Sequence, residues 1–142
     1  NTVTDGVIFH NTLASSDYGF LQHGTFDPRP NYFAVLLWNR LMGTEVYDCS
    51  HLNGENTHIY CHSRKDGEAG CVWLVINNSL TDGLEVNLPT DSECYMLHAE
   101  RPRATTMLLN GKALSIEEAV AGEKRKAGTI ELPPCSCTFI AV

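Results

Sequence analysis

Three groups of residues in this sequence carry side chains that can do chemistry. The first is Asn11 with Tyr18-Gly19: a carboxamide, a phenol hydroxyl and a glycine whose backbone N–H is open to close approach. By residue type alone, a loop tyrosine followed by glycine describes an aromatic packed on a rim and a turn. His10 precedes Asn11, and on an extended segment the two face opposite sides. Asn11 is expected at the interior or rim, and His10 as a hydrogen-bonded packing residue. The second group, His58, Cys61, His62 and Cys71, has the residue types of a zinc site. On a strand, however, Cys61 and His62 point to opposite faces, so one ion cannot take both without a bend, and no metal is expected. A Cys61–Cys71 disulfide across the Asp66-Gly67 turn is open, given a suitable register. The third group is Cys135 and Cys137, which as strand residues two apart share a face and read as buried free thiols. Asn77-Asn78-Ser79 is a glycosylation sequon, a triplet common by chance. Glu117-Glu118 and Glu123-Lys124-Arg125-Lys126 read as solvated surface. There is no phosphate loop, nucleophile elbow or familiar Ser-His-Asp order, and no cofactor is expected.

The elements that must position these residues change character along the chain. Gly6 to Leu13 is an apolar run with little alternation, the pattern of a strand buried on both faces of a parallel sheet. Such a strand expects a helix, and Asn31 to Met42 supplies one, with Phe33, Leu36, Leu37 and Leu41 at helical spacing and Gly43 as a stop. Asp27 or Asn31 can cap it, and Pro28 and Pro30 hold the approach extended. Beyond Gly43-Thr44 the spacing predicts short strands at Glu45–Asp48, Thr57–Ser63, Cys71–Asn77, Leu84–Leu88, Cys94–Glu100, Thr105–Leu109, Thr129–Leu132 and Cys137–Val142. Turns at Lys65-Asp66-Gly67-Glu68 and Asn110-Gly111 predict hairpins, and Ser115 to Gly128 reads as a short helix or mobile loop. That spacing is the pattern of a β-sandwich.

The totals exclude several function classes. Ten basic against seventeen acidic residues give a formal charge of −7, the wrong footprint for a nucleic-acid or acidic-membrane binder. No apolar run approaches the ~20 residues of a membrane span. Hydrophobic residues at 43% and charged residues at 19% describe an ordered globular chain. Asn1 to Asp5 shows neither a basic segment nor an apolar one of the signal-peptide kind. A lone parallel strand with its helix leaves backbone groups unpaired. The chain is therefore expected to be a piece of a longer protein.

Longer stretches carry a family likeness. Ser16-Asp17-Tyr18-Gly19-Phe20-Leu21, then Thr25 to Phe33, then Leu36 to Val46 resemble the strand-eight to helix-eight region of glycoside hydrolase family 79, which includes heparanases and β-glucuronidases. His58-Ile59-Tyr60-Cys61, Val72 to Asn77, Leu108 to Lys112, Leu132-Pro133-Pro134 and Cys137 to Ile140 continue the resemblance in order.

The resemblance implies a mainly β fold: residues 1–43 as the final strand and helix of a catalytic (β/α)8 barrel, then residues 44–142 as a C-terminal β-sandwich. It implies a retaining glycosidase acting beside uronic acids, with both catalytic carboxylates upstream of Asn1 and the fragment alone inactive. Tyr18 and Gly19 match a pair resembling a uronate-carboxylate clamp, with Asn11 on the same rim. The implied partners are the upstream barrel and a glucuronate-containing glycan, in a secreted, extracellular or lysosome-like setting. In some members the cysteine matching Cys61 pairs with one at the extreme C-terminus, which this sequence does not show through Val142. The alternative reading is a stand-alone sandwich module that binds carbohydrate or protein.

Overall fold

The computed structural model describes residue 13, residues 19–115 and residues 120–142. The expected strand Gly6–Leu13 lies outside the described residues, apart from Leu13.

Among the described residues one α-helix, α1 (Pro30–Leu41), leads directly into the first strand, β1 (Met42–Tyr47). Arg29 stands at its N-cap in an extended conformation (φ −87°, ψ 164°) with no side-chain cap. The proline ring explains this start: it disfavours helical geometry in the preceding residue, while its fixed φ suits the first helical position. Neither Asp27 nor Asn31 therefore takes the capping role expected of it. Gly43 does not end the helix as expected either. The chain turns extended at Met42, and Gly43 lies within β1, where a Cβ would collide with Ser63 Oγ and the Ser63 carbonyl.

The remaining strands are β2 (Thr57–Arg64), β3 (Cys71–Asn77), β4 (Leu84–Leu88), β5 (Ser92–His98), β6 (Leu108–Leu109), β7 (Lys112–Ala113), β8 (Glu123–Arg125), β9 (Gly128–Leu132) and β10 (Ser136–Ala141). The large sheet has eight strands in the order β1-β2-β3-β10-β5-β6-β7, with β8 also paired to β5. A second layer is the two-stranded ribbon β4-β9. Among the described residues all pairings are antiparallel. The chain is mainly β, and the arrangement is consistent with a sandwich whose second sheet is narrow.

Alternation along the central strands sorts the core into two clusters. Val72 and Leu74 of β3, Tyr95 and Leu97 of β5 and Phe139 of β10 face Phe33 and Leu37 of α1. Val75, Cys94 and Ile140, on the opposite faces of those strands, pack with Leu88 and Leu132 of the ribbon. Full burial of such side chains contributes roughly 2–3 kcal/mol each, which is why β3 and β10, covered on both sides, read as nearly continuous apolar runs.

Turns are where the chain most needs special residues. Asn110 (φ 49°) and Gly111 (φ 80°) both have left-handed backbones, as a two-residue hairpin between β6 and β7 requires. The Asn110 side chain also completes a sheet. Its Oδ1 accepts the Met96 N–H at 3.0 Å and its Nδ2 donates to the Cys94 carbonyl at 3.1 Å. It thereby occupies the stretch of β5 edge between the residues paired to β6 and those paired to β8.

Candidate functional site

The candidate rim can be built from Leu13 and Gly19 onward. Gly19 is buried. The Leu21 N–H donates to the Leu13 carbonyl at 2.8 Å, so the two ends of the segment that carries Tyr18 are tied together. Tyr18 itself and Asn11 lie outside the described residues, as does His10. After Gly19 the chain folds into a small hairpin: Arg29 N–H donates to Phe20 O at 2.8 Å, Leu21 bridges Pro28, and Gln22 N–H donates to Asp27 O at 2.8 Å. Gly24 (φ 90°) and Phe26 (φ 61°) make its reversal, and Phe26 is 59% exposed. The hairpin ends at Arg29, the N-cap of α1, so Gly19 is fixed relative to the helix that packs on the sheet. Sequence reasoning missed this hairpin. Gly24 together with Pro28 was the available signal.

The histidines and cysteines on β2 are separated as strand alternation requires. His62 lies on the α1 side: its ring meets Trp38 edge-on at 5.1 Å, and its Nδ1 stands 2.9 Å from the Gly43 carbonyl. A carbonyl can only accept, so Nδ1 carries the proton. Cys61 lies on the ribbon side, opposite Trp73. Among the described residues no group of three or more His, Cys, Asp or Glu side chains converges as a metal site.

Cys61 is 2% exposed, and burial, followed by the neighbouring Cys71 thiol, pushes it up to about 12. Burial likewise pushes Cys137 up to about 12. Cys135 does not share a strand face with Cys137 as expected. It occupies a left-handed turn (φ 52°) before β10 begins at Ser136, and its N–H donates to Ser79 O at 3.0 Å. The sequon asparagine is equally committed. Asn77 is 3% exposed, its Nδ2 donates to Asp82 O and Pro133 O, and its Oδ1 accepts the Ser79 N–H. In the folded chain that amide nitrogen has no room for a sugar. Glu123, Lys124 and Arg125 are exposed, in keeping with a solvated segment, although they form β8 and not the helix or loop expected there.

Comparison with known proteins adds a second line of evidence. No protein-family profile matches the chain. The baicalin-β-D-glucuronidase of Scutellaria baicalensis is 30% identical over 91% of this chain and 27% of its own length. Heparanase-like protein 1 of Arabidopsis thaliana is 34% identical over 72% of this chain and 18% of its own length. The chain belongs with the heparanase-like proteins of glycoside hydrolase family 79. Heparanase-like protein 2 of Arabidopsis thaliana shows the same 34% identity over 58% of this family 79 chain. The family 79 chain spans 18% to 27% of the length of these three relatives, a share that fits the C-terminal part of such an enzyme. Among solved structures, a Paenibacillus polymyxa xyloglucanase from glycoside hydrolase family 44 aligns with 61% of the chain at 9% identity and a TM-score of 0.36, a likeness too slight to carry an argument.

Proposed function

We propose that this chain is the C-terminal portion of a retaining glycoside hydrolase that cleaves uronic-acid-containing glycans. In this reading residues 1–43 complete a (β/α)8 barrel, and residues 44–142 form a sandwich that braces it. The two catalytic carboxylates belong to the barrel upstream, and this segment contributes a rim of the substrate cleft. Tyr18 Oη and the Gly19 N–H donate to the carboxylate of the bound uronate, and Asn11 stands beside them. Hydrogen bonds to a charged oxygen are roughly twice as strong as neutral ones, so such a pair favours a uronate over the corresponding neutral sugar. A secreted, extracellular or lysosome-like setting accords with such substrates.

The observation that carries this reading is the extent of the similarity: it runs through 91% of the chain yet accounts for only 27% of the glucuronidase it matches. The closed segment between Leu13 and Leu21, tied through Arg29 to α1, supports it, because a rim residue needs a fixed base.

The test is to produce the chain joined to its upstream barrel and to assay release of an aryl β-glucuronide. Activity is expected for the joined protein and none for the 142-residue chain. Tyr18→Phe should lower kcat/KM for the glucuronide by about 10- to 100-fold while changing that for the matching glucoside far less. Equal losses on both sugars would remove the clamp from the proposal.

A further inference from the structure

A polar groove lies between the hairpin that follows Gly19 and the loop that joins β5 to β6. It consists of two adjoining cavities of about 530 Å³ and about 360 Å³. Gln22, Asp27 and Arg29 of the hairpin wall the first, and Glu100 and Arg101 of the loop wall the second. Ala104 and Thr105 line both, so one space runs into the other. Each volume is within the roughly 300–1,000 Å³ of small-ligand pockets. Both walls are held by backbone bonds: Ala104 N–H donates to Arg101 O at 3.0 Å, and Gln22 N–H donates to Asp27 O at 2.8 Å. Among the described residues, no hydrogen bond or ion pair takes up the side chains of Gln22, Asp27, Arg101 or Thr105.

We propose that this groove is a second sugar subsite, which binds a neutral, hydroxyl-rich residue of the same glycan whose uronate sits at the Tyr18-Gly19 rim. It rests on the reading of that rim as a uronate clamp. The lining chooses the ligand class. Each wall carries one carboxylate and one guanidinium, Asp27 with Arg29 and Glu100 with Arg101, so the charges balance. Carboxylates only accept and guanidinium groups only donate, while the Gln22 carboxamide and the Thr105 hydroxyl do both. Such a mixture suits a ring of hydroxyls, each a donor and an acceptor, better than a polyanion or an apolar molecule. Position agrees with this. Gln22 is three residues from Gly19, so their Cα atoms are at most about 11 Å apart, within reach of a neighbouring sugar on one chain.

The loop between β5 and β6 thereby gives the sandwich a part in substrate choice besides bracing. No bond changes in the groove, so a sugar held there is bound equally well before and during the reaction. Uniform binding of that kind lowers KM and leaves kcat where it was. A chain of sugars is therefore preferred to a lone glucuronide through KM.

The experiment uses the chain joined to its upstream barrel, with an aryl β-glucuronide and a hexasaccharide of alternating glucuronate and N-acetylglucosamine as substrates. Arg101→Ala combined with Thr105→Ala should raise KM for the hexasaccharide, relative to that for the aryl glucuronide, by about 10- to 100-fold, with the ratio of the two kcat values held. Thr105→Trp, which fills the groove from an exposed position, should do the same. A sulfur-linked hexasaccharide, which resists hydrolysis, should bind the native protein more tightly than either variant by calorimetry. The subsite is overturned if the variants change KM for both substrates equally, or if all three proteins bind the sulfur-linked chain alike. Equal losses on glucuronide and glucoside in Tyr18→Phe remove the clamp alone, because the calorimetric comparison needs neither turnover nor Tyr18.

Discussion

The two faces of the large sheet are built from the same strands yet covered very differently. On one, α1 lays Phe33 and Leu37 across Val72, Leu74, Leu97 and Phe139, a cluster of closely packed apolar side chains. On the other, a ribbon of two strands covers a sheet of eight and leaves a cavity of about 290 Å³ among Leu52, Ile59, Trp73, Leu88, Ile140 and Val142. That face also holds Ser136 and Thr138, whose buried hydroxyls have no protein partner. The helix face behaves as a finished core. The ribbon face keeps the alternation of a core without enough second-layer surface to close it. Strand pattern therefore reports which residues turn inward, whereas close packing depends on what the second layer supplies.

Substitutions of the same chemistry on the two faces should separate these roles. Leu37→Ala, at a fully buried site on the helix face, should cost about 4–5 kcal/mol, because its packed neighbours cannot collapse into the void. Leu88→Ala lines the existing cavity on the ribbon face and should cost about 2–3 kcal/mol, since relaxation is easier there. Urea unfolding of both variants measures this, and equal losses would break the comparison. Thr138→Val sharpens it. Removing an unpartnered buried hydroxyl at constant shape should leave stability unchanged or raise it by up to about 1 kcal/mol.

The smallest effect belongs to the β2-β3 turn, outside both cores. The Arg64 guanidinium, and then the Glu68 N–H, hold the Asp66 carboxyl down at about 2 from an ordinary 3.8. A carboxyl lowered by folding stabilises the chain above its unfolded pKa and loses that contribution as pH falls through the folded one. The native chain should therefore lose slightly more stability between pH 5 and pH 2 than Asp66→Asn. Urea midpoints at the two pH values are the measurement.

Much of this was legible in the sequence, for physical reasons that differ by element. α1 showed because Phe33 and Leu37 repeat at the period of a helix that buries one stripe. β3 and β10 showed because both their faces are covered, and Asn110-Gly111 because only such residues tolerate two left-handed positions in succession. β8 did not show. Its three residues are all exposed and charged, so nothing in their own pattern marks a strand, and the pairing is set by the edge of β5. The turn geometry at Cys135 was hidden for a related reason, since cysteine is not a residue that announces φ above zero. Of the candidate rim, Tyr18-Gly19 stands out through the family likeness and not through residue types alone, and the hairpin that holds Gly19 depends on pairing across Leu21 and Pro28. That Cys61 and Cys71 share a sheet face as diagonal neighbours rests on register, which a strand sequence does not fix by itself.

The junction between α1 and β1 has a mechanical consequence. Leu41 is the last helical residue and Met42 the first of the strand, and the Leu41 carbonyl is gripped by the Lys65 N–H at 3.0 Å. No slack exists at that point. A push on the outer side of the helix is delivered to the sheet as to a welded joint, so whatever rests against α1 shares its orientation with every strand behind it, and any bending must be found elsewhere along the chain.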